Sequence, residues 1–203
     1  MAGAIGSEYK VDASYLSPNV NIASRLEAAT KQFGVPLLFS EHFARLLSVP
    51  VRRACRQLDR VTLKGSAVPL GLFTFDADPE LIPVPTPDAP ALKRGSTFSI
   101  TSLPDDDDAP VGAEELATHP DVLAMRASVG GDFLARFSAG FTAYSDGRWG
   151  DAKELLGSAL HGRKAPGGGA GTDGPTKALL AAMEAHAFKA PPDWQGYREL
   201  TEK

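Results

Sequence analysis

Five prolines crowded into a dozen residues, Pro79, Pro83, Pro85, Pro87 and Pro90, divide this 203-residue chain into two organised stretches. Proline lacks the amide that a helix interior or a strand ladder needs, and it biases the residue before it away from helix. Residues 77–111, which also carry the acidic run Asp105-Asp106-Asp107-Asp108, therefore read as an extended, solvated linker. Within it only Gly95 to Leu103 has the composition of a short edge strand. The fold must be built from residues 1–76 on one side and 112–203 on the other.

The first stretch alternates strand and helix signals. A strand from about Ala4 ends in the Ser17-Pro18 turn, and Asn19 is placed to cap the helix that follows. In that helix Leu26 and Ala29 fall on the side that faces a core, while Asn21 and Arg25, spaced i, i+4, share an outward face. Spacing alone leaves this pair open between a solvated helix surface and an anion-handling site. Phe33-Gly34 stops the helix, Val35 to Ser40 reads as a short buried strand, and Ser40 caps a helix over Glu41 to Leu47. Two strands follow, Cys55 to Lys64 and Val68 to Phe75, turned at Gly65-Ser66.

Taken in order, Val20-Asn21-Ile22-Ala23-Ser24-Arg25-Leu26-Glu27, Leu37-Leu38-Phe39-Ser40, and Asp59-Arg60-Val61-Thr62-Leu63-Lys64-Gly65 running into Leu70-Gly71-Leu72-Phe73 resemble the catalytic domain of class III adenylyl and guanylyl cyclases. The resemblance covers residues 4 to 76 and corresponds to the C-terminal half of that domain. It implies an α+β, ferredoxin-like fold, incomplete on its N-terminal side. It also implies a chemistry in which the ribose 3′-hydroxyl of ATP or GTP attacks the α-phosphate and pyrophosphate leaves. On that resemblance Asn21 orients the ribose, and Arg25 meets the charge developing on the phosphoryl oxygens with a rigid fork of donors. Lys64 binds the terminal phosphates. Ser14, seven residues before Asn21, takes the purine-contacting position, with Asp12 as a competing candidate; a hydroxyl donates or accepts, so Ser14 does not choose between adenine and guanine.

The family uses Mg2+ or Mn2+ held by two aspartates of the first half of the domain, one in a Phe-x-Asp-Ile strand. That motif does not occur here, so the resemblance implies a fragment, inactive alone, whose catalytic metal is bound by no residue of this chain. The family's active sites form between two catalytic domains, which makes a second cyclase domain the expected partner. Ser17, followed here by Pro18, stands where the family usually has glycine at the turn.

The second stretch reads as an all-helical tail: Leu116 to Arg126, Asp132 to Asp146, Gly150 to Leu160 and Pro175 to Phe188, the last opened by Asp173-Gly174-Pro175. Gly140, Gly147, Trp149, Ala152, Leu156 and Ala159 have the spacing of one tetratricopeptide-like helix pair, which cannot bury its faces alone. Pro166 to Gly171 lacks the Lys-Ser/Thr ending of a phosphate loop and reads as a connector. The close at Trp194-Gln195-Gly196-Tyr197 resembles helical tails that follow the catalytic domain in some microbial and protist cyclases. A second functional reading makes the whole chain an inactive cyclase-homology and interaction module, whose helical tail holds a partner with Phe133, Phe137, Trp149 and Trp194 as its core and rim; the plainer reading makes them simply core aromatics.

The formal net charge of −4 argues against a general nucleic-acid-binding role. No apolar run is long enough to cross a membrane, no signal peptide precedes the first strand, and Met1-Ala2 lacks the glycine that myristoylation requires. The single cysteine, Cys55, has no internal disulfide partner and the four histidines have no ligand spacing, which fits a cytoplasmic setting without a histidine metal site.

Overall fold

A computed structural model describes residues 2–7, 10–15, 18–63, 68–82, 118–165 and 169–200, with side chains described from residue 20 onward. The expected strand near Gly95 and the connector residues 166–168 lie outside the described residues. The N-terminal residues form an antiparallel hairpin rather than one strand: β1 (Ala2–Ser7) pairs with β2 (Lys10–Tyr15), with Gly3 opposite Ser14. Helix α1 runs Pro18–Phe33, so Asn19 lies inside its first turn and is not its cap. The reason is Pro18, whose fixed φ and missing amide suit a first helical position. Ile22, Leu26, Ala29 and Phe33 face the core at spacings of four, three and four, and Gly34, at φ +61°, ends the helix in a conformation that costs a glycine little.

The strand expected over Val35 to Ser40 shortens to β3 (Phe39–Ser40). Pro36 has no amide to give to a ladder, the Val35 amide donates back to the Thr30 carbonyl, and the Leu37 carbonyl accepts from the Thr74 hydroxyl. Ser40 caps α2 (Glu41–Leu46) as its sequence implies, its Oγ accepting from the Phe43 amide. A further helix, α3 (Val49–Ala54), follows at once; its signal in the sequence was Ser48 at the cap position and Pro50 in the first turn.

β4 (Cys55–Thr62) and β5 (Leu70–Phe75) pair antiparallel, with a bulge between Gln57 and Asp59 that buries the neighbours Leu58 and Asp59 together. Past a short 3-10 turn (Pro79–Leu81) the second stretch supplies α4 (Pro120–Met125), α5 (Gly131–Ser145), α6 (Trp149–Ala159), the strand pair β6 (Arg163–Lys164) and β7 (Ala170–Gly171), α7 (Gly174–Glu184) and β8 (Arg198–Glu199). This region is therefore not all helical. β8 joins the sheet parallel to β4, giving a mixed sheet in the order β3-β5-β4-β8. Helix α7 stops short of Phe188 because Ala187 and Phe188 both take positive φ, 53° and 58°.

The architecture is mixed α and β, and both stretches feed one hydrophobic cluster. Leu26, Phe33, Leu58, Val61 and Leu72 pack in it with Phe133, Phe137, Tyr144, Trp149, Leu156, Leu179 and Met183. The strand residues Leu38, Phe39, Leu70 and Leu72 are buried, while Leu37 is exposed and Phe73 and Phe75 are half-buried. α5 crosses α6 at Gly140, where a Cβ would stand 2.7 Å from Leu156 Cγ. The tightest approach joins the end of α1 to the start of α7: a Cβ on Gly174 would fall 2.2 Å from the Phe33 carbonyl oxygen. Backbone cannot swing aside as a side chain can. Gly174→Ala is therefore expected to destabilise the chain by about 2–3 kcal/mol in urea denaturation, and an unchanged midpoint would contradict this packing.

Candidate functional site

The candidate residues begin on α1. Asn21 is exposed and Arg25 half-buried, one turn apart beside the apolar stripe that fixes the helix on the core. Their Cβ atoms are about 6 Å apart by helical geometry, close enough for an amide and a guanidinium to meet one ligand. Ser14 lies in β2 opposite Gly3, in the strand that leads into α1, and Asp12 lies in the same strand opposite Ile5. Lys64 follows β4 and lies outside the described residues. The structure thus places Asn21 and Arg25 on one helix face, and Ser14 on the element before it.

Elsewhere in the fold lies a set of buried charges that sequence reasoning missed. Arg56, on β4, donates from Nε and Nη2 to Asp76 at 2.8 and 2.7 Å, and from Nη1 and Nη2 to Asp173 at 3.0 and 2.9 Å. Its guanidinium also stands over the rings of Phe137 and Phe133, 4.4 and 5.0 Å from their centroids. Arg163 Nη1 is 3.5 Å from both carboxylates, and its Nη2 donates to the Ser128 hydroxyl at 3.1 Å. Two arginines and two aspartates make a neutral set drawn from both stretches of the chain. Burial alone would lower the Arg56 pKa, but Asp76 and Asp173 more than offset it and hold Arg56 firmly charged. For Asp173 burial pushes upward, yet the bonds and charge of Arg56 and two bonds from Thr176 win and hold the carboxyl below its ordinary value. The trace of this set in the sequence was a charged residue at a buried phase of an alternating strand, Arg56 in step with Leu58.

A second buried carboxylate is less well served. Asp59 accepts from Arg198 Nε at 2.8 Å and from the Arg60 amide at 2.8 Å, but burial dominates and raises its pKa. Nearby, Tyr144 Oη and Arg198 Nη2 are buried without a hydrogen-bond partner among the described residues, and burial with the Asp59 charge raises the Tyr144 pKa. Burial also pushes the half-buried Cys55 thiol up, which disfavours a reactive thiolate.

Among the described residues no three His, Cys, Asp or Glu side chains are grouped to hold a metal ion. The buried carboxylates Asp59, Asp76 and Asp173 are each engaged by a guanidinium. They do not fit a divalent cation, and no chemical step is assigned to a metal held by them. The four aromatics of the interaction reading divide: Phe133, Phe137 and Trp149 are core, while Trp194 is half-buried, with its indole N–H on the Ser145 carbonyl at 3.0 Å.

Comparison with known proteins gives one informative relative. A protein named adenylate cyclase from Anabaena cylindrica is 33% identical over 76 residues, which is 37% of this chain and 15% of the relative. No protein-family model and no solved structure matches the chain. The likeness links part of the chain loosely to cyclases. No helix among the described residues is long and apolar enough to cross a membrane.

The contrast between the two buried carboxylates has measurable consequences. Asp173→Asn strands part of the Arg56 charge and is expected to cost about 3–5 kcal/mol; Asp59→Asn costs less, because burial already works against the Asp59 charge. With a folded pKa below the ordinary carboxylate value of about 3.9, Asp173 gives stability that is complete above that value and lost as pH falls through the folded one. Asp59 acts oppositely, removing stability as pH rises from the ordinary value through its raised folded one. Urea denaturation across acid pH checks both signs: Asp173→Asn should flatten the acid loss, and equal costs for the two substitutions would contradict the assignment.

Proposed function

We propose that this chain is the C-terminal part of a class III nucleotidyl cyclase domain, of ferredoxin-like type, with a tetratricopeptide-like helix pair in its tail. In this reading it works in the cytoplasm, together with a second cyclase domain, in forming cyclic AMP or cyclic GMP from ATP or GTP. The supporting observation is the pairing of Asn21 and Arg25 on one face of a helix whose other face is fixed in the core, in a chain 33% identical over 76 residues to a named adenylate cyclase.

The chemistry follows from what each group can do. The 3′-hydroxyl gives up its proton to water, its oxygen forms a bond to the α-phosphorus as the bond to the leaving pyrophosphate breaks, and negative charge spreads over the phosphoryl oxygens between them. The Asn21 carboxamide orients the ribose by donating and accepting without adding charge. The Arg25 guanidinium stays protonated throughout, so it stabilises the growing charge with no proton transfer of its own. Ser14 contacts the purine, and Lys64 the terminal phosphates as a point charge. In this reading carboxylates outside this chain would hold Mg2+ or Mn2+, which would help activate the hydroxyl and neutralise the triphosphate.

Joined to an upstream segment that supplies two metal-binding aspartates, the chain should form cyclic nucleotide from ATP or GTP with magnesium or manganese. Arg25→Ala should lower that turnover by about a hundredfold or more, and Asn21→Ala should lower it too, with the folded state intact by circular dichroism. An unchanged rate in Arg25→Ala would end the assignment.

A further inference from the structure

Three of the large apolar side chains exposed among the described residues lie at the corner where α2 meets α3. Leu46, the last residue of α2, is 82% exposed; Phe43, one turn before it, is 51% exposed and Val49, the first residue of α3, is 48% exposed. The link between the helices is only Leu47 and Ser48, so Leu46 and Val49 stand together at the tip. Phe43 is held edge-on against Phe39, with ring centroids 5.4 Å apart, which fixes it in place. The same corner gathers positive charge. Arg52 and Arg53 lie one turn from Val49 on α3, both exposed, with no ion-pair partner among the described residues. Arg45, beside Leu46, is neutralised by its pair with Glu41, so Arg52 and Arg53 carry the corner's charge.

We propose that the α2–α3 corner docks on an anionic lipid surface, Leu46, Val49 and Phe43 entering the headgroup boundary and Arg52 and Arg53 meeting lipid phosphates and carboxylates. Charge complementarity selects this occupant: an anionic bilayer attracts Arg52 and Arg53, which stand exposed and without ion-pair partners among the described residues beside Val49. Shape agrees. A stable protein partner needs about 800 Å² of broad, complementary surface per side, while a bilayer accepts a few side chains that protrude, as Leu46 does. The proposal stands apart from the cyclase reading, since lipid docking requires neither Asn21 nor Arg25.

The test is co-sedimentation of the full 203-residue chain with vesicles of phosphatidylcholine alone or with phosphatidylserine added. Binding should be strong on the phosphatidylserine vesicles at low salt, weaker at high salt and weakest on phosphatidylcholine alone. Arg52→Gln should lower the partition roughly fivefold, and Leu46→Asp by about tenfold or more, while Leu123→Asp, at a leucine exposed elsewhere on α4, should leave it unchanged. Absence of binding to phosphatidylserine vesicles at low salt overturns the proposal. So does binding that Leu46→Asp and Leu123→Asp weaken equally, or self-association in light scattering that Leu46→Asp abolishes without any vesicle binding, which would assign the corner to a second copy.

Discussion

A single guanidinium, Arg56, joins the two halves of this molecule. It projects from the bulged strand β4, takes one carboxylate from the end of β5 at Asp76 and another from the cap of α7 at Asp173, and rests on the rings of α5. Each contact comes from a different element, so the charge can be buried only when all are in place. A buried ion pair is a poor source of net stability, because desolvation cancels much of the attraction. What it supplies is exclusivity: any arrangement that parts the sheet from the helices takes Asp173 away from Arg56 and leaves it with Asp76 alone.

That fastening reaches the candidate site through the backbone. Asp173 both binds Arg56 and caps α7, accepting from the Thr176 amide. The next residue, Gly174, is the point at which α7 touches the Phe33 carbonyl at the end of α1. The helix that carries Asn21 and Arg25 is thus positioned at its far end by the same residues that lock the C-terminal helices to the sheet. β8 adds a second attachment, with Arg198 on Asp59 and the Leu200 amide on the Thr62 carbonyl at 2.9 Å.

Much of this was legible before any coordinates, where the signal was local. The apolar stripe of α1, the Gly34 stop, the Ser40 and Asp173 caps and the alternation of β4 each follow from a few neighbouring residues, and the structure has them. The spacing of Asn21 and Arg25 on one helix face was equally readable, because helical periodicity fixes it. What escaped depends on residues far apart in sequence. Nothing local marks Arg198 and Glu199 as a strand, since β8 exists only by pairing with Val61 and Thr62. Arg56 and Asp173 meet across 117 positions. The apolar corner at Leu46 was equally hidden, because periodicity says that a helix has an apolar side and not whether a core will cover it.

Native-state hydrogen exchange, resolved by residue, tests the central claim that the two stretches form one body fastened at Arg56. The account predicts that amides in β4, in the second half of α1 and in α7 open with the same free energy and the same dependence on denaturant. Protection in α7 that is lost well before that of β4 would contradict it.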